Sequence, residues 1–374
     1  MTPKRILLLH EGRLLPDIFR HKLEAAGFAV ETARSGEKGL ASAAARRPDA
    51  VVLDPVLPGS ELEDLVRKLR SSGGARQIPV VVLPTARPAT SDPAQRAGAE
   101  VVLSRGPNPV ADIIDALQSL LGVERTETML PGQSFNTEDN WLATSLNNVP
   151  AMLTTLRRTL HEASRDGGDP QALLEFHRAI HGFTEEMAVL GQRPLSILSA
   201  QMEALAFDLH RFPEMSNRTL LRTLGQAVDF LATLLPPEVR ARLRDPSASQ
   251  VLVVDDEEGA RAIIMAAMQL AHLKSMAADT PSAGLAALGV QSFDLIFLDV
   301  GLPKMSGFEL GNKIRALPMH EDTPIIFITG MATFQNRVQS SLSGGNDFVG
   351  KPFSLPELGL KALIWVFKGH LGQV

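Results

Sequence analysis

There is no cysteine in the 374 residues of this chain. Disulfides, thiolate metal sites and cysteine nucleophiles are therefore excluded. No apolar run is long enough to span a bilayer. The hydrophobic share is nevertheless 44%, enough to build ordinary globular cores. Basic charge is not in excess either. Lys and Arg number 37 against 42 Asp and Glu, for a net charge of −5. A nucleic-acid-binding domain would normally show as a basic patch, so neither nucleic acid nor membrane is an expected partner. The opening Met-Thr-Pro-Lys-Arg runs straight into a strand-like stretch with no signal-peptide pattern, and a cytoplasmic location is the expectation. The length suggests two or three domains at roughly 100–200 residues each.

The most informative stretch runs from Asp294 through Leu-Ile-Phe-Leu to Asp299, then Val300, Gly301, Leu302 and Pro303. A run of bulky apolar residues bounded by turn residues reads as a buried strand. The acid at its last position then sits at the carboxyl end of that strand, where open parallel α/β sheets build their sites.

Residues 5–121 alternate between strand-like and helix-like segments, five of each. Among them are strands near Ile6–His10 and Ala50–Leu53, the latter ending at Asp54, and helices near Leu14–Ala26 and Glu61–Ser71. Such alternation implies right-handed βαβ crossovers and a parallel sheet covered on both faces. Residues 124–135 show no periodicity and read as a linker. The pattern then turns all-helical. Thr137–Asn147 and Pro150–Ser164 read as a helix pair or as one helix kinked at Pro150. Asp169-Pro170 is a helix start, followed by a buried stripe of Leu173, Phe176, Ile180, Phe183, Met187 and Leu190. Further helices run from Pro194 and from Ser216, and the connections are short, as in an antiparallel bundle. A second α/β stretch follows, with strands near Val251–Val254, Lys274–Ala278, Phe293–Leu298, Pro324–Ile328 and Asp347–Val349, and a helix near Thr333–Leu342. The fold expected is α/β plus all-α: two flavodoxin-like (βα)5 domains, 1–123 and 248–374, flanking a linker and helical bundle at 124–247.

The two α/β stretches repeat one another at a nearly constant offset. His10 and Glu11 correspond to Asp255 and Asp256, Asp54 to Asp299, Thr85 to Thr329, and Arg105 to Lys351. In the C-terminal copy these residues all fall at strand ends along one edge of the sheet. Three carboxylates close together repel one another unless a cation sits among them, and an oxygen-liganded Mg²⁺ suits that site. One carboxylate can then attack an activated phosphoryl group, with Thr329 and Lys351 contacting its oxygens.

On these residues, 249–374 resembles the receiver domain of bacterial response regulators. The resemblance implies Asp299 as phosphoacceptor. It implies direct Mg²⁺ ligation by Asp256, Asp299 and the Gly301 carbonyl, with Asp255 acting through water. It further implies Phe348 as the switch aromatic and Gly307 as the glycine after the active-site loop. A receiver carries only its own phosphorylation and dephosphorylation, so no separate enzyme activity is expected. The N-terminal copy resembles the same family but departs at its mouth. His10 replaces an acid, Pro55 lacks the N–H that the family turns to the phosphoryl group, Leu62 replaces the glycine, and Arg105-Gly106 replaces Lys-Pro. These changes favour a pseudo-receiver kept as an interaction surface; a working, atypical receiver at Asp54, Glu11, Thr85 and Arg105 is the alternative.

His177 and His181 lie one helical turn apart, and read from the helix alone they are two solvated histidines. As a metal pair they lack a carboxylate signature. Phe176, His181, Phe183, Gly191 and Glu203 have the spacing of histidine-phosphotransfer (HPt) domains, which expose a phosphate-carrying histidine in mid-helix. Thr184 stands where that family has lysine and Glu185 where it has a small glycine. The resemblance therefore favours an HPt-like bundle without transfer activity over a working His181.

Together these resemblances imply a two-component response regulator. In it a sensor histidine kinase or HPt protein is expected to phosphorylate Asp299 with Mg²⁺ and so change contacts with a downstream protein, or between two copies of the chain. No recognisable DNA-binding segment supplies another output. The alternatives are a phosphorelay or phosphate sink between Asp299 and His181, and a scaffold indifferent to phosphorylation.

Overall fold

The computed structural model describes residues 2–11, 15–57, 62–71, 78–83, 95, 97–103, 109–123, 136–165, 169–215, 218–330 and 343–373. Thr85, Arg105, the linker at 124–135, Ser216 and the helix expected near Thr333–Leu342 lie outside those residues.

The first sheet contains β1 (Arg5–Leu9), β2 (Ala29–Ala33), β3 (Ala50–Leu53), β4 (Val80–Val82) and β5 (Val101–Val102), all parallel, in the order β2-β1-β3-β4-β5. Helices α1 (Leu15–Ala25), α2 (Gly36–Arg46), α3 (Leu62–Ser71) and α4 (Pro109–Leu121) accompany it. The inner strands read as continuous Ile, Leu and Val because both faces are covered. Leu7, Leu9, Val51 and Leu53 join a core with Leu65, Val66 and Leu69 of α3. Ile6, Leu8, Val52 and Val81 join another with Phe19 and Leu23 of α1 and Ile113 and Leu117 of α4.

Four long helices follow: α5 (Asn136–Ser164), α6 (Pro170–Val189), α7 (Arg193–Arg211) and α8 (Arg218–Thr233). Helix α5 runs unbroken through Pro150, which settles the open choice between one helix and two. A short helix, α9 (Pro237–Arg240), takes Pro237 at its start.

The second sheet contains β6 (Gln250–Val254), β7 (Lys274–Ala278), β8 (Leu295–Asp299), β9 (Ile325–Thr329) and β10 (Asp347–Gly350). Its parallel order is β7-β6-β8-β9-β10, the same topology as the first. Helices α10 (Glu258–Leu270), α11 (Pro281–Leu288), α12 (Gly307–Arg315) and α13 (Leu355–Leu371) accompany it.

By compactness the chain falls into two units: 1–152 with 178–196, and 153–177 with 197–374. Within the second unit the helices pack side by side. Arg157 of α5 reaches Asp229 of α8 at 2.9 Å, and the His177 ring of α6 lies 5.6 Å from that of Phe207 on α7. In the same unit Gln201 of α7 donates to the Leu270 carbonyl of α10 at 3.1 Å. Helix α13 is buried along most of its length.

The repeat is deeper than the strand-end residues showed. Asp49 accepts from the Arg5 amide and Asp294 from the Gln250 amide, each at 2.8 Å, tying the two central strands at their starts. Arg70 at the end of α3 donates to the carbonyls of Gly98 and Ile78 and to Glu100. Arg315 at the end of α12 donates to the carbonyls of Gly344 and Thr323 and to Asn346. Glu100 and Asn346 in turn accept from the equivalent amides of Val80 and Ile325. Gly98 and Gly344 both have positive φ, +105° and +77°, where an L side chain is strained. One arginine thus satisfies a whole turn in each copy.

Candidate functional site

In both sheets the order reverses beside the first strand, and ligands of doubly wound sheets bind outside the carboxyl ends of the strands at that point. In the second sheet the point lies between β6 and β8. Asp299 is the last residue of β8, and Asp255 and Asp256 follow β6 directly. One ligand oxygen from each lies within 4.8 Å of the others. Asp255 and Asp299 are buried and Asp256 is exposed, so the cluster opens at one side.

Each buried carboxylate is held by a tight local turn. Asp299 accepts from the Gly301 amide at 2.7 Å and Asp255 from the Glu257 amide at 2.8 Å. Lys351, just past β10 and joined to Pro352 by a cis peptide, bridges the pair. Its Nζ lies 3.0 Å from Asp255 and 3.0 Å from Asp299, with Glu257 at 3.5 Å. Burial alone would push the Lys351 ammonium down. Its hydrogen bonds to Asp299 and Asp255 outweigh that and raise it above the usual lysine range. Burial in turn raises the Asp255 carboxyl, partly offset by Lys351. Thr329 ends β9, and its register partner on β10 is Gly350, next to Lys351. Phe348 on β10 is partly buried, with Lys361 Nζ 5.9 Å from its ring centre.

Gly307 opens α12 against this turn, and a methyl group there would overlap the Asp299 carbonyl. Ser306 caps the helix in a reciprocal capping box with Glu309. Three acidic groups with hard oxygens and one open side fit Mg²⁺. The structure therefore brings together Asp255, Asp256, Asp299, Gly301, Thr329 and Lys351.

The first sheet carries a different cluster at the same place. Asp54 follows β3 and accepts from the Val56 amide at 2.8 Å, two residues on, as Asp299 does from Gly301. His10 follows β1, and its Nε2 lies 3.7 Å from Asp54 and 2.9 Å from Glu185. His181 Nε2 lies 3.3 Å from Asp54 and 3.4 Å from Glu185. All four side chains are buried and belong to the first compact unit. Glu11, beside His10, is exposed.

The expectation of solvated histidines on α6 does not hold. His181 is 2% exposed because it faces this cluster, and His177 is buried against Phe207. Burial disfavours charge on both His10 and Asp54. For His10 the Asp54 charge and the Glu185 hydrogen bond prevail and raise its pKa. For Asp54 the neighbouring His10 and His181 prevail and hold it well below the usual carboxylate range.

Glu185 is the site residue that sequence reasoning missed. On the helix alone Glu185 stands only where the HPt pattern has a glycine, and His10 only where the receiver pattern has an acid. The signal was their complementarity: a base where an acid is expected, and an acid where a glycine is expected.

The family model described as "Response regulator receiver domain" matches residues 251–362. The chain is similar to the phosphate regulon transcriptional regulatory protein PhoB of Pseudomonas aeruginosa, 34% identical over 116 residues, covering 30% of this chain and 51% of that protein. It is also similar to the probable transcriptional regulatory protein TcrX of Mycobacterium tuberculosis, 34% identical over 125 residues, covering 33% of this chain and 53% of that protein. The chain thus spans about half the length of these curated relatives. Among solved structures, the chemotaxis response regulator CheY4 of Vibrio cholerae is 30% identical with a TM-score of 0.30, over 32% of this chain and 98% of that one. The receiver domain of the sensor histidine kinase PA1611 of P. aeruginosa, with magnesium in its active-site cleft, is 25% identical with a TM-score of 0.30, over 32% and 97%. No helix among the described residues is long and apolar enough to cross a membrane. The C-terminal sheet with its helices has the fold of a response-regulator receiver domain.

Proposed function

We propose that this chain is a two-component signalling protein in which Asp299 accepts a phosphoryl group from a sensor histidine kinase or an HPt protein. The observation that carries this reading is the placement of Asp299 with Asp255 and Asp256 within 4.8 Å and with Lys351 at 3.0 Å. An Asp299 carboxylate oxygen attacks the phosphorus of a phosphohistidine. The new P–O bond forms as the P–N bond breaks, and the leaving imidazole takes up a proton. Asp255, Asp256, Asp299 and the Gly301 carbonyl would hold Mg²⁺, which supplies charge neutralisation at the phosphoryl oxygens. Lys351 already points its ammonium at Asp299 and is placed to pair with one phosphoryl oxygen. Thr329, at the neighbouring strand end, donates to another.

The added group carries about −1.5 to −2 charges, by analogy with other phosphorylated side chains. That charge biases Thr329, Phe348 and β10 toward a second arrangement, and a downstream protein that prefers one arrangement reads the switch. In this reading residues 1–123 form a pseudo-receiver, 124–247 a linker and HPt-like bundle, and 248–374 the working receiver. A relay through His181 is not favoured, because its imidazole is buried against Asp54 and Glu185.

Intact mass after incubation with acetyl phosphate and Mg²⁺ tests the reading. Wild type, Asp54→Ala and His181→Ala should gain one phosphoryl adduct, and Asp299→Ala should gain none. An adduct retained in Asp299→Ala would sink it. Unchanged partner capture by Asp299→Ala would favour the scaffold.

A further inference from the structure

We propose that His10, Asp54, Glu185 and His181 form a buried binding site for a transition-metal dication, Zn²⁺ by preference, distinct from the Mg²⁺ site at Asp299. The inference does not depend on phosphorylation of Asp299.

The donor set argues for it first. Two imidazole nitrogens and two carboxylates suit zinc, whereas Mg²⁺ takes oxygen ligands and keeps several waters. Geometry argues for it second. His10, Asp54 and Glu185 each offer a ligand atom within 4.8 Å of the others. His181 Nε2 joins them at 3.3 Å from Asp54 and 3.4 Å from Glu185. With bonds of about 2.0–2.1 Å, neighbouring donors in a tetrahedral shell lie about 3.3 Å apart. The four imidazole–carboxylate separations are 2.9, 3.3, 3.4 and 3.7 Å, spread about that value, with His10 facing Asp54 Oδ2 and His181 facing Asp54 Oδ1.

Charge balance is the third argument. All four side chains are buried, at 2–6% exposure. Two buried carboxylates need two positive charges, and a dication with neutral imidazoles supplies them. The residues also come from separate elements. His10 and Asp54 directly follow β1 and β3, and Glu185 and His181 lie one turn apart on α6. Such a metal would pin residues 178–196 to the first sheet within one compact unit. Helix α6 supplies one carboxylate, Glu185, and the sheet supplies the other, Asp54.

The test uses the full chain, stripped with EDTA, reloaded with Zn²⁺ and desalted before metal analysis. Wild type should retain one Zn²⁺ per chain. His10→Gln and Glu185→Gln should each weaken Zn²⁺ by at least about 10-fold in competition with a chromophoric chelator. Asp299→Asn and His161→Gln, the latter an exposed histidine, should bind as wild type does. Wild type needs no substitution for the second measurement: Co²⁺ in place of Zn²⁺ should give the intense visible absorption of four-coordinate geometry. Failure to retain Zn²⁺, equal retention by His10→Gln, or the weak spectrum of six-coordinate Co²⁺ overturns the proposal and leaves a hydrogen-bonded cluster without metal.

Discussion

The two α/β copies share their frame and differ at their mouths. Asp49 matches Asp294, Arg70 matches Arg315, and Gly98 matches Gly344, each making the same kind of bond to the same kind of partner. The strand orders agree as well. At the carboxyl ends the chemistry diverges. The C-terminal copy gathers carboxylates around a lysine and leaves one side open, with Asp256 exposed. The N-terminal copy closes its aspartate under two imidazoles and a glutamate. Bonds that hold a fold and residues that do chemistry occupy different parts of the same domain, so one set can drift while the other stays.

The sharpest way to break this contrast is to ask which aspartate takes phosphate. Asp299→Asn should abolish the acetyl-phosphate adduct in an intact-mass assay, and Asp54→Asn should leave it unchanged. Equal losses would make the two mouths equivalent after all. Glu185→Ala comes next. It removes a partner of His10 and His181 in a buried cluster, and such deletions cost about 3–5 kcal/mol. Amide exchange in β3 should accelerate by the corresponding factor while β8 stays protected. Gly307→Ala probes the other mouth. Its methyl would meet the Asp299 carbonyl, a crowding that costs about 1–3 kcal/mol and should slow phosphorylation of Asp299. Leu62→Ala, at the corresponding position, should leave Asp299 chemistry unaltered.

A pH series gives the smallest effect. In metal-free protein the first mouth depends on His10, whose pKa is raised above its ordinary 6.5 by Asp54 and Glu185, with His181 also facing the cluster. A group raised on folding stabilises fully below its unfolded pKa, and that contribution fades as pH rises through the folded value. Exchange protection in β3 should therefore fall as pH climbs above about 6.5, and His10→Gln should flatten the trend. The second mouth is compensated by Lys351, raised further above its usual range. It should show no loss over the same interval.

Much of this contrast was legible in the sequence because it is local. A run of apolar residues ending in Asp299 marks a strand, its end and a turn within ten residues. The same signature at Asp54 revealed the duplication, and the residues around it revealed the departures at His10, Pro55 and Leu62. The closed mouth was not legible. His10 and Glu185 are 175 positions apart, and no periodicity relates a strand end to a helix face over that span. The arginine clamps were equally hidden. Their partners are mostly main-chain carbonyls, which leave no trace in residue identity.

Those clamps make the two domains interchangeable parts. Since Arg70 and Arg315 hold their turns through backbone atoms and one polar side chain, neither depends on what stands at the strand ends. A receiver mouth could be grafted onto the N-terminal frame by restoring the C-terminal residues at His10, Pro55, Leu62, Arg105 and Gly106 and replacing Glu185 and His181, which cover Asp54, while the arginine clamp stays as it is. The chain thus carries one chassis twice, with a different fitting at each mouth.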